Sequence, residues 1–246
     1  MVPVPLIALS ALAVFVSGTM QGATGFGFVI LAAPIMTAYL APTLVVPVMV
    51  SQSLVLGFVM IVHSYRWVRL RRIWPMMLSG VAATPVGTLL LVRLDEGVLK
   101  LLMGIVVSVT AVAMLLGWQR PAASERAASL PVGALSGLLT GSTGLAGPPV
   151  ILFFANQGVD QREFRANIVL YLQTVGLLAL PSFLVGGVLT ADALKLTAQL
   201  LPASLAGVFS GIWLSHRVSV ALFRRLALFV VVIAGIGAAV SSVVGQ

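Results

Sequence analysis

The sequence predicts an all-α integral membrane protein built from two inverted repeats, each a broken, re-entrant helical hairpin followed by three transmembrane helices. Three observations lead there. Charged residues are scarce, apolar blocks recur at the length of a bilayer crossing, and the two halves of the chain match one another.

Of the 246 residues, 60% are hydrophobic and 8% charged. A soluble domain carries about a quarter charged residues. Lipid can solvate such a surface and water cannot. The blocks are Leu6–Met20, Phe28–Tyr39, Val45–Val62, Ile73–Val92, Val98–Trp118, Val132–Leu139, Val150–Ala155, Ile168–Leu189, Leu194–Leu214 and Leu222–Val244. The longer ones approach the roughly 20 residues that cross a hydrocarbon core about 30 Å thick. No long hydrophilic stretch separates them, so function has to sit within the membrane or at its rim. The opening Met1-Val2-Pro3-Val4-Pro5 lacks the basic flank of a cleaved signal peptide, so the first span is expected to be retained.

The internal match begins with Gly18-x3-Gly22-Ala23-Thr24-Gly25-Phe26-Gly27. It aligns with Gly137-x3-Gly141-Ser142-Thr143-Gly144-Leu145-Ala146, 119 residues on. Gln52 then falls opposite Gln173, and Gly87, Arg93 and Lys100 fall opposite Gly211, Arg217 and Arg224. Residues 1–118 form the first repeat, 119–130 a linker and 131–246 the second repeat. Each repeat opens with an interrupted segment, Leu6–Tyr39 or Val132–Gln157, long enough for two half-helices.

Arginine and lysine indicate whether these segments return or cross. If both return, one face holds Arg66, Arg69, Arg71, Arg72, Arg120, Arg126, Arg162, Arg165, Arg217, Arg224 and Arg225, and the other Arg93, Lys100 and Lys195. If each crosses once, the charges divide equally. The positive-inside rule favours the uneven division. A returning hairpin plus three spans is an odd number of crossings, so the second repeat is inverted. Inverted repeats place substrate sites near the midplane on discontinuous helices, which points to a transporter.

The candidate site follows from the breaks. Thr24, Gly25, Phe26 and Gly27, with Thr143, Gly144 and Gly147, interrupt apolar helices. Half-helices starting near Phe28 and Pro149 would aim free N–H groups at the centre, where a helix N-terminus favours an anion. Thr24 and Thr143 would add hydroxyl donors. Gln52 and Gln173 are mid-span amides that either bridge helices or touch substrate. Asn167, just inside a span, either ends a helix or reaches the hairpin. The glycines of Gly18-x3-Gly22 and Gly133-x3-Gly137-x3-Gly141 read instead as helix-packing positions.

Several classes are excluded or disfavoured. With no cysteine, thiol and disulfide chemistry are impossible. The net charge of +8 lies in loops beside apolar spans, which argues against nucleic acid as a partner. All six acids, Asp95, Glu96, Glu125, Asp160, Glu163 and Asp192, lie in loops, so no carboxylate relay is visible. His63 and His216 sit near span ends and read as interfacial residues. No phosphate-cradling loop of the Gly-x4-Gly-Lys-Ser/Thr type exists, and neither a cofactor nor catalysis is expected. Partners are a small anion and the bilayer itself. The sequence is compatible with coupling to a proton or another ion and with a homo-oligomer. A channel, a permease for another small anionic metabolite and a scaffold are the rival readings.

These glycine-rich stretches, Gly22–Gly27 and Gly141–Pro149, resemble those of the sulfite exporter TauE/SafE family of permeases, as does Glu163-Phe164-Arg165-Ala166-Asn167, with Asn167 where the family has threonine. The resemblance implies a bacterial inner-membrane exporter of sulfite, sulfonates, sulfoacetate or related sulfur anions.

Overall fold

The computed structural model describes residues 3–115 and 124–215. Among these, all regular structure is helical. The first half contains α1 (Val4–Thr24), α2 (Phe28–Thr37), α3 (Pro42–Ser64), α4 (Leu70–Arg93) and α5 (Glu96–Leu115), with a 3-10 turn at Tyr65–Trp67 before α4. The second contains α6 (Glu125–Thr143), α7 (Gly147–Asn156), α8 (Gln161–Val185) and α9 (Ala191–Ser215). The expected final span, Leu222–Val244, and His216 lie outside the described residues.

Helices α1, α3, α4, α5, α8 and α9 are long and apolar enough to cross a bilayer. By contrast, α2 and α7 have ten residues each. At 1.5 Å per residue they reach about 15 Å, half a hydrocarbon core. Large apolar side chains point outward along the bundle: Phe58 is 67% exposed, Leu78 62% and Leu184 67%. Apolar surface on this scale calls for lipid.

The second interrupted segment starts earlier than expected. Ser124 caps α6, its Oγ accepting from Ala127 N at 3.3 Å, so the helix begins within the stretch read as linker. Pro131 sits inside α6.

Two small-residue seams hold the bundle together, and they follow the repeat. Helix α1 packs along α9, and α6 along α4. Gly18 faces Ser204 O, as Gly137 faces Gly80 O. Gly22 faces Val208 O, as Gly141 faces Thr84 O, and Gly211 faces Thr19 O, as Gly87 faces Leu138 O. The partners on α1 and α6 are 119 residues apart and those on α4 and α9 are 124 apart, the two spacings found in the sequence match. A Cβ at any of these glycines would collide with the facing backbone. The glycines therefore let whole helices touch, where dispersion and weak backbone contacts replace the hydrophobic effect that lipid cannot supply. Helices α3 and α8, the third elements of the two series, pack on each other.

The helix starts are sorted by face. Arg72, in the first turn of α4, pairs with Glu125 in the first turn of α6 and with Glu163 in that of α8, the latter at 3.0 Å. Arg69 N donates to Asn167 Oδ1 at 2.8 Å, tying the turn before α4 to α8. The starts of α4, α6 and α8 thus share one face, and α6 and α7 together return to it. Trp67 and Trp74 stand on this face with Arg162 and Arg126 over their rings at 5.0 and 5.5 Å. In the first half, Ser10 Oγ and Tyr39 Oη lie 3.1 Å apart, bringing the turn after α2 back to the early part of α1.

Candidate functional site

Both short helices begin at a sharp reversal. At the first break, Gly25 and Gly27 have φ of 94° and 101°, a region that L side chains avoid. Gly25 N donates to Gln21 O at 2.7 Å, closing α1. Gly27 then opens α2 without any side-chain cap. The first helical bond inside α2 is Leu31 N to Gly27 O at 3.1 Å. The N–H groups of Phe28, Val29 and Ile30 therefore have no partner among the described residues, and their aligned dipoles leave partial positive charge at this end.

The second break differs. Gly144, with φ of 73°, is its sole left-handed residue. Ala146 takes ordinary right-handed geometry, and Ser136 Oγ reaches across to donate to Ala146 O at 2.5 Å. The first turn of α7 is Gly147-Pro148-Pro149. Proline has no N–H, so of these three positions Gly147 alone retains a donor. The expectation of matching donors at both half-helices is thus corrected: α7 starts at Gly147, and its two prolines leave the N–H groups of Gly147 and Val150 as the donors without a partner there among the described residues.

The breaks meet. A Cβ on Gly144 would lie 3.3 Å from Val29 Cγ1, and one on Gly147 would lie 3.7 Å from Ile30 Cδ1. Between them is a cavity of about 40 Å3, lined by Phe26–Ile30 from one break and Gly144–Gly147 from the other, with walls from α3 and α8. About three water molecules would fill such a space. Its polar side chains are Gln21, Ser53 and Thr140.

Of the residues expected from the sequence, Phe26, Gly27, Gly144 and Gly147 line this cavity, and Gly25 supplies the turn that shapes it. Phe26 also meets Phe164 edge to face, with ring centroids 6.0 Å apart. Thr24 and Thr143 are buried beside the breaks, but their hydroxyl protons go elsewhere. Thr24 Oγ1 is 2.8 Å from Met20 O and 2.7 Å from Phe26 O, and Thr143 Oγ1 donates to Leu139 O at 2.8 Å. Back-bonding to the preceding turn is a common alternative for threonine in a helix. These two residues therefore brace the turns.

The amide pair bridges helices. Gln173 Nε2 donates to Ser53 O at 3.1 Å and packs on the bare backbone of Gly57. Gln52 Nε2 lies 3.5 Å from Thr197 O, and its buried Oε1 has no partner. Neither residue lines the cavity. Asn167 belongs to the rim, between Arg69 N and Glu163.

Two contributors escaped sequence reading. Gln21 stands one turn before the first break, 4% exposed, and is one of the residues that line the cavity. It was passed over at the end of an apolar block. The available signal was its position 119 residues before Thr140, the lining residue of the other half. Arg165 lies behind the first break. Its Nε would be 3.1 Å from a Cβ on Gly25, and its Nη2 is 3.5 Å from Gly22 O. A cation there suits the negative pole of α1.

The family model described as Sulfite exporter TauE/SafE matches residues 10–238. The chain therefore belongs to that family, a family of membrane transporters. No curated protein and no solved structure matches it.

Proposed function

We propose that this member of the sulfite exporter TauE/SafE family is a secondary carrier that exports small sulfur-containing oxyanions, such as sulfite, sulfonates or sulfoacetate, across the bacterial inner membrane. The observation that carries the proposal is the cavity between the breaks, lined in part by Phe28, Val29 and Ile30, whose N–H groups have no partner among the described residues. An oxyanion entering it would meet three aimed donors and a helix pole, an arrangement suited to negative charge.

The two halves are read as inverted repeats with the cavity near the bilayer midplane. The shared face of the α4, α6 and α8 starts and the exchanged seams support that orientation. Alternating access then moves one set of helices against the other around the breaks. A carrier is preferred to a channel because the cavity is small and Phe26 stands against Phe164 at its edge.

The test is flux from proteoliposomes for a panel of sulfite, sulfonates and sulfoacetate, with and without a proton gradient. Saturable flux with counterflow is expected, together with dependence on the gradient if a proton is coupled. Absence of flux for every anion in the panel would end the proposal, and flux without counterflow would replace carrier by channel.

A further inference from the structure

The Gln21 side chain is buried to 96% on a relative scale and is unusual in making no hydrogen bond. Its Oε1 is enclosed without a partner, and no described group pairs with its Nε2. Leaving a buried amide unpaired is unfavourable, so such a group on a residue that lines a cavity points to an occupant that a small side-chain rotation would meet. The cavity carries no Lys, Arg, His, Asp or Glu in its lining. Positive charge near it comes from the start of α2, equivalent to about half an elementary charge, and from Arg165 behind the first break.

We propose that the Gln21 carboxamide is a ligand of the transported ion, and that this ion is singly charged with one O–H group: hydrogensulfite rather than fully deprotonated sulfite. The inference rests on the anion-carrier reading. A carboxamide has both a donor and an acceptor end. Its NH2 donates to an oxyanion oxygen, and its carbonyl accepts from the O–H. A fully deprotonated oxyanion presents acceptors alone and leaves the carbonyl oxygen facing negative charge. Desolvation acts in the same direction. The Born penalty grows with the square of charge, so a dianion is about fourfold harder to strip of water than a monoanion of the same size.

The proton thus travels on the substrate. Sulfite takes it from water on the side it leaves and returns it to water on the side it reaches, so no titratable relay in the spans is needed. Sulfonates, which are monoanions without an O–H, would use the NH2 end and the α2 donors alone.

The test uses the full-length protein in liposomes, with sulfite and methanesulfonate as probes at several pH values on both sides of sulfite's second dissociation. At fixed total sulfite below saturation, the initial rate is expected to fall about tenfold per pH unit above that dissociation, while methanesulfonate flux stays flat. Gln21→Leu is expected to lower sulfite flux about tenfold or more and methanesulfonate flux less. Gln21→Met, close in shape, guards against misfolding and is scored when its size-exclusion profile matches the parent. Sulfite flux that is flat or rises with pH would overturn the inference, as would parental sulfite flux in well-folded Gln21→Met. Either result leaves the carrier reading intact. No flux of either probe at any pH would overturn both.

Discussion

The two breaks occupy equivalent positions and are built for different tasks. Phe28-Val29-Ile30 at the start of α2 corresponds, 119 residues on, to Gly147-Pro148-Pro149 at the start of α7. One end keeps three unpartnered donors, and the other has had two removed. Gln21 with a free carboxamide corresponds to Thr140, whose hydroxyl is engaged by Ser136 O at 2.7 Å. Ser17 bonds within its own helix, whereas the corresponding Ser136 stitches its break shut through Ala146 O. A duplicated frame has been retained while its polar groups have diverged. On the proposed reading, the first break would supply most of the donors to a bound anion, and the second would mainly wall the cavity.

The largest effect should come from removing the turns themselves. Gly25→Val and Gly144→Val each force a β-branched residue to positive φ, a true outlier for that side chain. Both variants are expected to insert into the membrane and to lose sulfite flux by a hundredfold or so. Retained flux in Gly144→Val alone would show that the second break need not keep its shape.

An exchange of prolines tests the contrast directly. Val29→Pro copies Pro148 into the first break and deletes one donor while staying within a first helical turn, where proline fits. A hydrogen bond to a charged ligand contributes about 1.5–3 kcal/mol, so KM should rise about ten- to hundredfold. The reciprocal Pro148→Val should leave KM unchanged or lower it. Equal losses in both variants would mean that the ends are not specialised.

Ser136→Ala removes the stitch across the second break and leaves Ala146 O without that donor. A loss of about 1–2 kcal/mol in stability is expected, read as a lower Tm in detergent, with KM little altered. A large change in KM would place the second break in the binding surface after all.

The smallest effect belongs to the rim. Arg72→Ala breaks the pairs to Glu125 and Glu163, whose side chains are about a fifth to a third exposed. Partial screening limits the loss to about 1 kcal/mol, with flux within about threefold of the parent. The effect should shrink further in high salt.

Much of this was legible before any coordinates. Gly18 and Gly137, and Gly22 and Gly141, which the sequence match aligns, each approach the backbone of a facing helix. Their reading as packing positions holds, because small residues at a four-residue spacing leave one helical stripe bare. The breaks were readable too, since glycine clusters inside apolar blocks have few other uses. What stayed hidden depended on where hydroxyls and amides point. Thr24 and Thr143 sit beside the cavity yet bond to their own helices, a choice made by rotamer rather than by residue type. Gln52, Gln173 and Gln21 are all amides in apolar helices, and which one faces a cavity depends on helix rotation. The start of α6 was obscured because Ser124, Glu125, Arg126 and Ser129 are polar residues that also suit a linker, while Ser124 is the cap.

The glycine seams carry a further consequence. Each links a helix of one half to a helix of the other, so α1 lacks its closest neighbour until α9 exists, and α4 lacks its own until α6 exists. Neither half can complete a seam alone. A polypeptide severed near residue 120 should therefore assemble when both fragments are made together and leave each one orphaned when made singly. During synthesis, α1 waits in the lipid without its closest neighbour until α9 arrives.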